Sequence, residues 1–209
     1  MIKNIIFDLG NVLVKVDLGK FKRNILSEGV GADTYDRFLK SDDFYRLIFK
    51  YETGSISTKY FIDTCLRKLD KKISRKKFIE HFNGMLVEKP EMRKFIEKIT
   101  ENGDYRFLLL SNTNPLHWKM RTRFPYILRL KNFCLSYKIN LYKPDIRVFK
   151  FVLKKYKYNP SETLYIDDRS ENCMSASYAG FNTISYRSFG QFKKEFRKFT
   201  NHKFNKSWQ

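Results

Sequence analysis

The feature that most constrains this chain is a short apolar segment near its amino terminus that contains one carboxylate. Residues 5–9 (IIFDL) are apolar apart from Asp8, and Gly10-Asn11 follow directly. The run is too short for a helix and predicts a strand that is buried on both faces. A carboxylate at the end of such a strand is costly to bury unless another group pairs with it. Ligands bind at the carboxyl ends of strands in open α/β sheets, so Asp8 is the first candidate functional residue.

Length and composition are those of a folded chain with one core domain and room for an insertion. The chain has 209 residues, of which 42% are hydrophobic and 17% aromatic, and this composition argues against global disorder. Its formal net charge is +20. A solvated basic surface is the favoured explanation of this charge. The alternative is attraction to anions, namely phosphorylated substrates, nucleic acid or acidic lipid.

The cysteines and the apolar segments predict a cytoplasmic protein. Cys65, Cys134 and Cys173 are far apart, odd in number and without CxxC spacing, so neither a disulfide framework nor a zinc site is indicated. No stretch approaches the ~20 apolar residues of a membrane span. The first residues lack the pattern of a signal peptide, because Asp8 interrupts the apolar run.

Further apolar segments predict a parallel sheet. Buried strands are expected at 106–111, 132–136, 163–166 and 182–186. Helical patterns alternate with these strands, as expected for parallel strands with right-handed crossovers. The predicted fold class is therefore α/β, with a Rossmann-like parallel sheet at its core.

A helical insertion interrupts this core. Residues from about 18 to 88 show successive amphipathic helical patterns and no convincing strand, which predicts a small helical bundle. We therefore expect a core made of residues 1–16 and 89–190, with an inserted helical domain at 17–88.

The carboxyl-terminal tail, residues 191–209, is basic and aromatic. Phe192, Phe196 and Phe199 fit one face of a short helix, and Phe204 and Trp208 follow. Docking of this face on the core is the favoured interpretation. A patch for nucleic acid or for a membrane surface is the alternative.

Four polar clusters lie just after predicted strands or in a loop. They are Asp8, Ser111-Asn112, Lys143-Pro144-Asp145 and Asp167-Asp168. Because parallel strands end at the same edge of a sheet, these clusters are expected to converge. Several carboxylates in one pocket repel each other, and a divalent cation is a plausible reason to gather them. Carboxylate oxygens suit Mg²⁺, a lysine and a hydroxyl suit a phosphate, and a carboxylate can act as a nucleophile.

In order, spacing and strand context, these four motifs resemble those of the haloacid dehalogenase superfamily. The similarity runs from Ile2 to about Tyr186, and the helical insertion is similar to the C1 cap of that superfamily. The segments around Asp8 and Ser111 look most like the branch that contains glucose-1-phosphatase-like sugar phosphatases. The resemblance implies a cytoplasmic phosphatase of a small phosphorylated metabolite, and it leaves the oligomeric state open.

The resemblance also implies roles for individual residues. Asp8 would be the nucleophile that forms an aspartyl-phosphate. Ser111 and Asn112 would hold the phosphoryl group, and Lys143 would neutralise charge on it and on the nucleophile. Mg²⁺ would be bound by Asp8, the backbone carbonyl of Gly10 and Asp168, with Asp167 assisting. These are the electrostatic tasks of phosphoryl transfer.

Gly10 is the main departure from the motifs of the superfamily. Most of its phosphatases have a second aspartate at this position, as general acid and base, and such catalysis contributes typically ~10²–10⁴-fold. Three accounts are open: a substrate with a good leaving group, another proton source such as Asp17 or water, or a weak or silent enzyme. Smaller departures are Lys15 and Asn172, which stand where relatives often have acids.

Two other functions remain as alternatives. Dehalogenation also uses an aspartate nucleophile, but it needs no metal and would leave Asp167-Asp168 unexplained. A binding scaffold that engages nucleic acid or acidic surfaces through its basic tail would fit Gly10 and the net charge.

Substrate selection is expected to come from the inserted helices. Tyr45, Arg46 and residues 51–55 are candidates to face the pocket. In the core, His117-Trp118 follow the second motif. A surface helix with Trp118 packed inward is favoured there over substrate contact.

Overall fold

A central parallel sheet organises the protein. A computed structural model of the chain describes residues 1–101 and 103–200, apart from the side chain of Met120. Five parallel strands form the sheet in the order β5-β4-β1-β6-β7. Their bounds are β1 Asn4–Phe7, β4 Arg106–Ser111, β5 Phe133–Leu135, β6 Thr163–Asp167 and β7 Asn182–Ser185. The predicted fold class is confirmed.

Strand β1 lies at the centre of the sheet, and all four of its residues are buried. Ile5 stands beside Phe107 of β4 and Leu164 of β6. Because β1 has a strand on each side, its apolar side chains fill both faces of the sheet. The backbone N–H of Asp8 donates to the carbonyl of Ile166 at 2.9 Å, which extends the pairing by one residue. Asp8 therefore sits at the carboxyl edge.

Helices cover both faces of the sheet. The core helices are α6 Pro90–Ile99, α7 Pro115–Trp118, α8 Ser136–Ile139, α9 Ile146–Tyr156, α10 Ser170–Tyr178 and α11 Phe189–Phe199. Helices α6 and α11 pack on the face that includes Ile5 and Phe7, and α9 and α10 pack on the face that includes Ile6. Short 3₁₀ segments lie at 119–122, 125–130 and 160–162.

Five helices form a separate layer, which we call the helical layer (residues 18–84). They are α1 Leu18–Ser27, α2 Ala32–Leu39, α3 Asp42–Glu52, α4 Thr58–Lys68 and α5 Arg75–Gly84. Buried aromatic rings fill this layer, where Phe21 packs against Tyr35, Phe78 and Phe82. Ser57 and Ser74 cap α4 and α5, because their side chains accept from the backbone N–H groups of Tyr60 and Lys77.

A two-stranded ribbon stands between the helical layer and the sheet. Strand β2, Val14–Val16, pairs antiparallel with β3, Leu86–Glu88. The expectation of no strand between residues 18 and 88 was wrong at β3. Three residues are too few to show the alternation that identifies a strand in a sequence.

The helix near the carboxyl terminus, α11, docks on the core. Phe192 and Phe196 are fully buried, and their rings pack edge-on against Phe95 of α6. These rings are therefore unavailable to stack on nucleic-acid bases. Phe204 and Trp208 lie outside the described residues. Of the helices in 1–101 and 103–200, none combines the length and apolarity of a membrane span.

Candidate active site

A buried lysine joins two of the predicted site carboxylates. The Lys143 ammonium donates to Asp8 Oδ1 and to Asp167 Oδ2, each at 2.7 Å, and to the carbonyl of Leu110 at 3.0 Å. The side chain of Lys143 is 1% exposed. Three chain segments that are far apart in sequence thus meet at the carboxyl edge of the sheet, as the motif positions predicted.

Asp167 has almost all of its oxygen lone pairs occupied. Besides Lys143, it accepts hydrogen bonds from the Tyr165 hydroxyl, the Asn172 amide and the backbone N–H of Arg169. Asn172 donates to both carboxylate oxygens at 3.0 Å, a task that an acid at this position could not perform. Asp167 is therefore placed to hold Lys143, and its oxygens are less open to a metal ion than those of Asp8 and Asp168.

The two carboxylates beside Lys143 differ in their pKa. Burial raises the pKa of Asp8 above its ordinary value, opposed by the charge of Lys143 and reinforced by that of Asp167. Burial acts in the same direction on Asp167. There the charge and hydrogen bond of Lys143, with the donors from Tyr165 and Arg169, hold the pKa below its ordinary value. Asp8 is thus the less stabilised anion of the two.

Asp168 completes an acidic cluster at this edge. Carboxylate oxygens of Asp8, Asp167 and Asp168 all lie within 4.8 Å of one another. Burial raises the pKa of Asp168, and the nearby charge of Asp167 adds to this, while a hydrogen bond from Asn11 opposes it. One lysine against three carboxylates leaves an excess of negative charge. A divalent cation would offset this excess, so the residues present fit Mg²⁺ with oxygen ligands.

Asn11 links the acidic cluster to its surroundings. Its amide donates to Asp168 Oδ2 at 3.1 Å, and its side-chain oxygen accepts from the backbone N–H of Val16. Asn11 adopts a left-handed backbone conformation with φ of 55°. Its carbonyl accepts from the Lys89 ammonium at 2.8 Å. The turn after β1 is thereby fixed from three sides.

The loop after β4 clamps the segment that carries Lys143. The Asn112 amide donates to the carbonyl of Lys143, and its oxygen accepts from the Lys143 N–H, both at 2.9 Å. The Asn112 side chain is thus engaged in placing Lys143. Ser111 is buried, and its hydroxyl makes one long contact of 3.4 Å, to the carbonyl of Asn112.

Gly10 lies against the candidate nucleophile. A Cβ at this position would stand 3.9 Å from Asp8 Oδ2 and 3.4 Å from Val16. Asp17 does not replace the missing acid in this structure. It caps α1 by accepting from the N–H of Lys20, and this hydrogen bond, with Lys15 nearby, lowers its pKa. A carboxylate with a lowered pKa is a poor proton donor near neutral pH.

The helical layer reaches the candidate active site through Glu52. The Tyr142 hydroxyl donates to Glu52 Oε2 at 2.9 Å. The nearby side chain of Asn114 acts to lower the pKa of this carboxylate. Glu52 lies within the predicted range 51–55. Of the other candidates, Tyr45 is exposed and Tyr51 is buried inside the layer, stacked on Phe61.

His117 links the core to the helical layer. Its Nδ1 contacts the Asn114 amide at 3.2 Å, and its Nε2 lies 3.2 Å from the carbonyl of Phe82. Burial lowers the pKa of His117 to about 4, so the ring is neutral at pH 7. Trp118 packs inward against Phe133, as predicted from the sequence.

A cavity of about 560 Å³ opens beside Asp168. Its lining includes Asn11 and the basic side chains Lys15, Lys89 and Arg187. This cavity connects the acidic cluster with the surface on the side of the β2–β3 ribbon. It can admit solvent or part of a small ligand to the metal-facing side of the cluster.

Residues that support the site were harder to predict than those at its centre. Tyr165, Tyr142, Asn114 and Lys89 were not singled out from the sequence. Tyr165 lies two residues before Asp167 in a buried strand, and a buried tyrosine hydroxyl needs a hydrogen-bond partner. This requirement could have predicted the contact between Tyr165 and Asp167.

The fold and this acidic cluster define a class of hydrolase, and comparison with known proteins agrees. The profile of the haloacid dehalogenase-like hydrolases matches residues 2–180. The chain belongs to this family of enzymes.

Individual relatives cover nearly the whole chain. A D-ribitol-5-phosphate phosphatase of Bacteroides thetaiotaomicron is 31% identical over 208 residues, which cover 93% of this chain and 97% of that protein. A crystal structure of a HAD-family enzyme from the same organism, in complex with magnesium and inorganic phosphate, is similar with a TM-score of 0.81. It is 29% identical, and the match covers 94% of this chain and 100% of that one.

A third relative has a similar structure. A HAD-like family hydrolase from Porphyromonas gingivalis matches with a TM-score of 0.80 at 25% identity, over 97% of this chain and 100% of that one. The helical layer is included in these matches, because they span almost the full length of both chains.

Proposed function

We propose that this protein is a Mg²⁺-dependent phosphatase that hydrolyses a small phosphorylated metabolite, in particular a sugar or sugar-alcohol phosphate. The observation that carries the proposal is the buried lysine that bridges Asp8 and Asp167 beside Asp168. This arrangement gathers a nucleophile, a cation for the phosphoryl oxygens and carboxylates for a metal at one sheet edge.

In the proposed reaction, Asp8 is the nucleophile. Its carboxylate oxygen attacks the phosphorus, the bond from phosphorus to the leaving oxygen breaks, that oxygen takes up a proton from water, and an aspartyl-phosphate forms. Water then attacks the phosphorus and gives up a proton to solvent, the bond to Asp8 breaks, and inorganic phosphate leaves. Lys143 stabilises the carboxylate before attack and the phosphoryl charge during it. The Ser111 hydroxyl and the backbone N–H of Asn112, whose side chain is engaged with Lys143, hold the phosphoryl oxygens.

Asp8, Asp168 and the backbone carbonyl of Gly10 would hold Mg²⁺, with Asp167 assisting through Lys143. When bound, the ion supplies positive charge that favours the ionised form of Asp8 and draws the phosphoryl group towards it. Asn11 orients Asp168 for this role through its hydrogen bond at 3.1 Å.

The substrate class is proposed from one relative. The Bacteroides relative is named a D-ribitol-5-phosphate phosphatase. A polyhydroxylated leaving group would find polar partners at the boundary between the helical layer and the core. We assign residues 17–88 as a cap over a core of 1–16 and 89–190, with the tail 191–209 joined to the core through α11.

Phosphate release from a substrate panel tests this proposal. The panel contains pentitol phosphates, pentose and hexose phosphates, and nucleotides, each with Mg²⁺ and with a chelator. We expect Mg²⁺-dependent release that is fastest among the sugar and sugar-alcohol phosphates. A preference for nucleotides would contradict the substrate class, and release unaffected by the chelator would contradict the role of the metal.

A further inference from the structure

Glu52, at the end of α3, is a carboxylate of the helical layer that meets three loops of the candidate active site. It accepts the Tyr142 hydroxyl at 2.9 Å from the loop before Lys143. Asn114, from the loop after β4, and the positive charge of Arg169, directly after Asp168, both act to lower its pKa. These are the loops that carry the proposed catalytic residues.

These contacts close a ring of hydrogen bonds. Asn112 is bonded through its side chain to both backbone groups of Lys143. Tyr142 is the neighbour of Lys143 in the chain, and its hydroxyl is held by Glu52. The backbone carbonyl of Glu52 accepts from the Ser136 hydroxyl, which in turn accepts from the N–H of Thr113, the residue after Asn112. The ring therefore ties the lysine segment to the phosphoryl-binding loop, and it passes through a residue of the helical layer.

The ring depends on the carboxylate of Glu52. Burial raises the pKa of Glu52, while the hydrogen bond from Tyr142, the side chain of Asn114 and the charge of Arg169 oppose that rise. Without the carboxylate, the hydroxyl of Tyr142 would lose a partner that water replaces poorly at a largely buried position.

The backbone around Glu52 is docked as closely as its side chain. The Ser136 hydroxyl donates to the carbonyl of Glu52 at 2.5 Å and accepts from the N–H of Thr113 at 2.9 Å. Two residues on, Gly54 has φ of +75°, and a Cβ there would stand 2.4 Å from the carbonyl oxygen of Tyr137. The end of α3 thus packs closely against the core at a defined position.

We propose that Glu52 is a positioning residue for phosphoryl transfer: its carboxylate fixes Lys143 relative to Asp8 through Tyr142, and its backbone carbonyl fixes the loop after β4 through Ser136. This inference rests on the proposed phosphatase function. It makes the helical layer part of the catalytic arrangement, because the lysine is aligned fully only while α3 is seated on the core.

Isosteric variants test this role. Glu52→Gln keeps the shape but replaces the charged acceptor of the Tyr142 hydroxyl with a neutral amide. Tyr142→Phe removes the hydroxyl, and the double variant removes both partners. Glu80→Gln is the matched control, because Glu80 is an exposed glutamate of the same helical layer. For each variant, kcat and KM are measured with p-nitrophenyl phosphate and with the best sugar phosphate, alongside the urea unfolding midpoint.

We expect Glu52→Gln to lower kcat about tenfold for both substrates, with a smaller change in KM. The double variant should be no slower than the slower single variant, since both substitutions break the same contact. Glu80→Gln should change neither constant.

Three results would contradict the proposal. If Glu52→Gln lowers the unfolding midpoint but leaves kcat unchanged, Glu52 is only a structural contact. If kcat falls for the sugar phosphate alone, Glu52 contacts the leaving group. If the two single variants lower kcat additively in the double variant, they do not act through the same contact.

A binding measurement separates this inference from the proposed function. Calorimetry with inorganic phosphate in the presence of Mg²⁺ gives a Kd for the wild type and for Glu52→Gln. If the wild type releases no phosphate from any substrate, the phosphatase proposal fails, and the Kd still tests Glu52. Weaker phosphate binding in Glu52→Gln would support positioning of the phosphoryl site, and an unchanged Kd would overturn it.

Discussion

Replacement of Lys143 by methionine is the most direct test of the charge balance in the site. Lys143→Met keeps the length of the side chain but leaves Asp8 and Asp167 buried together without their shared cation. Each contact of 2.7 Å is an attraction of roughly 6 kcal/mol at an effective dielectric constant near 20. Desolvation of the three charged groups offsets much of this attraction.

The expected decrease in the free energy of unfolding follows from measurements on other buried ion pairs. Loss of one partner from a buried pair costs about 3–5 kcal/mol. Because Lys143 serves two carboxylates, we expect a loss near the upper end of that range at pH 7.5 without metal. This is a large share of the ~5–15 kcal/mol that stabilises a typical domain.

Two conditions should reduce the loss. Without Lys143, burial and the charge of Asp167 both raise the pKa of Asp8. The stability that belongs to a carboxyl with a raised pKa is present at low pH and is lost as the pH rises through the folded-state pKa. The loss should therefore be smaller at pH 5.5 than at pH 7.5, and Mg²⁺ should reduce it at either pH.

Urea unfolding followed by circular dichroism measures these differences, with a chelator and with Mg²⁺. The matched control is Lys3→Met, because Lys3 pairs with Glu162 at a similar distance of 2.6 Å but is 65% exposed. That variant should change the free energy of unfolding little. A loss for Lys143→Met of under ~1 kcal/mol, the range of an exposed pair, would refute the reasoning.

Three further outcomes follow from other parts of the structure. Gly10→Asp should raise kcat for alkyl phosphates by up to ~100-fold and leave p-nitrophenyl phosphate nearly unchanged, because it restores a proton donor that only poor leaving groups need. Steady-state kinetics on both substrates test this prediction, and an equal change in kcat for the two would contradict it. Since burial lowers the pKa of His117 to about 4 from 6.5, the unfolded chain takes up a proton before the folded one does. Stability should therefore fall as the pH drops from 6.5 towards 4, by up to ~3 kcal/mol, less for the part of the ring that solvent reaches. Urea unfolding against pH should show this slope, and His117→Gln should flatten it; an equal slope in both proteins would contradict a neutral His117. Phe192→Ala should cost about 3–5 kcal/mol, because the ring is fully buried against Phe95. A free energy of unfolding within experimental error of the wild type would mean that α11 does not stabilise the core.

The centre of the site was predictable because strand ends are marked in the sequence. Asp8, Ser111 and Asp167 each end an apolar run, and parallel strands bring such ends to one edge. The position of Lys143 could not be obtained in this way, since it lies in a loop. Its place followed from the resemblance to a family, and the structure then put its ammonium between two carboxylates.

The supporting contacts were not predictable for a physical reason. Glu52 and Asn114 are 62 positions apart in the sequence numbering and come together only when α3 is seated on the core. The periodicity of apolar residues indicates which face of a helix is buried. It does not indicate which residues a polar side chain at the end of that helix will contact in the folded protein. The sequence did not predict strand β3, because three residues are too few to show the alternation of apolar and polar side chains that identifies a strand.

The central claim is that Asp8 is the nucleophile of a Mg²⁺-dependent phosphatase. The measurement that tests it most directly is phosphate release from the best substrate, with Mg²⁺ and with a chelator, for the wild type and Asp8→Asn. Asp33→Asn is the matched control, since Asp33 is an exposed aspartate of α2 in the helical layer. The account predicts Mg²⁺-dependent release in the wild type and in Asp33→Asn, and none in a folded Asp8→Asn. Release by Asp8→Asn at the wild-type rate would contradict it.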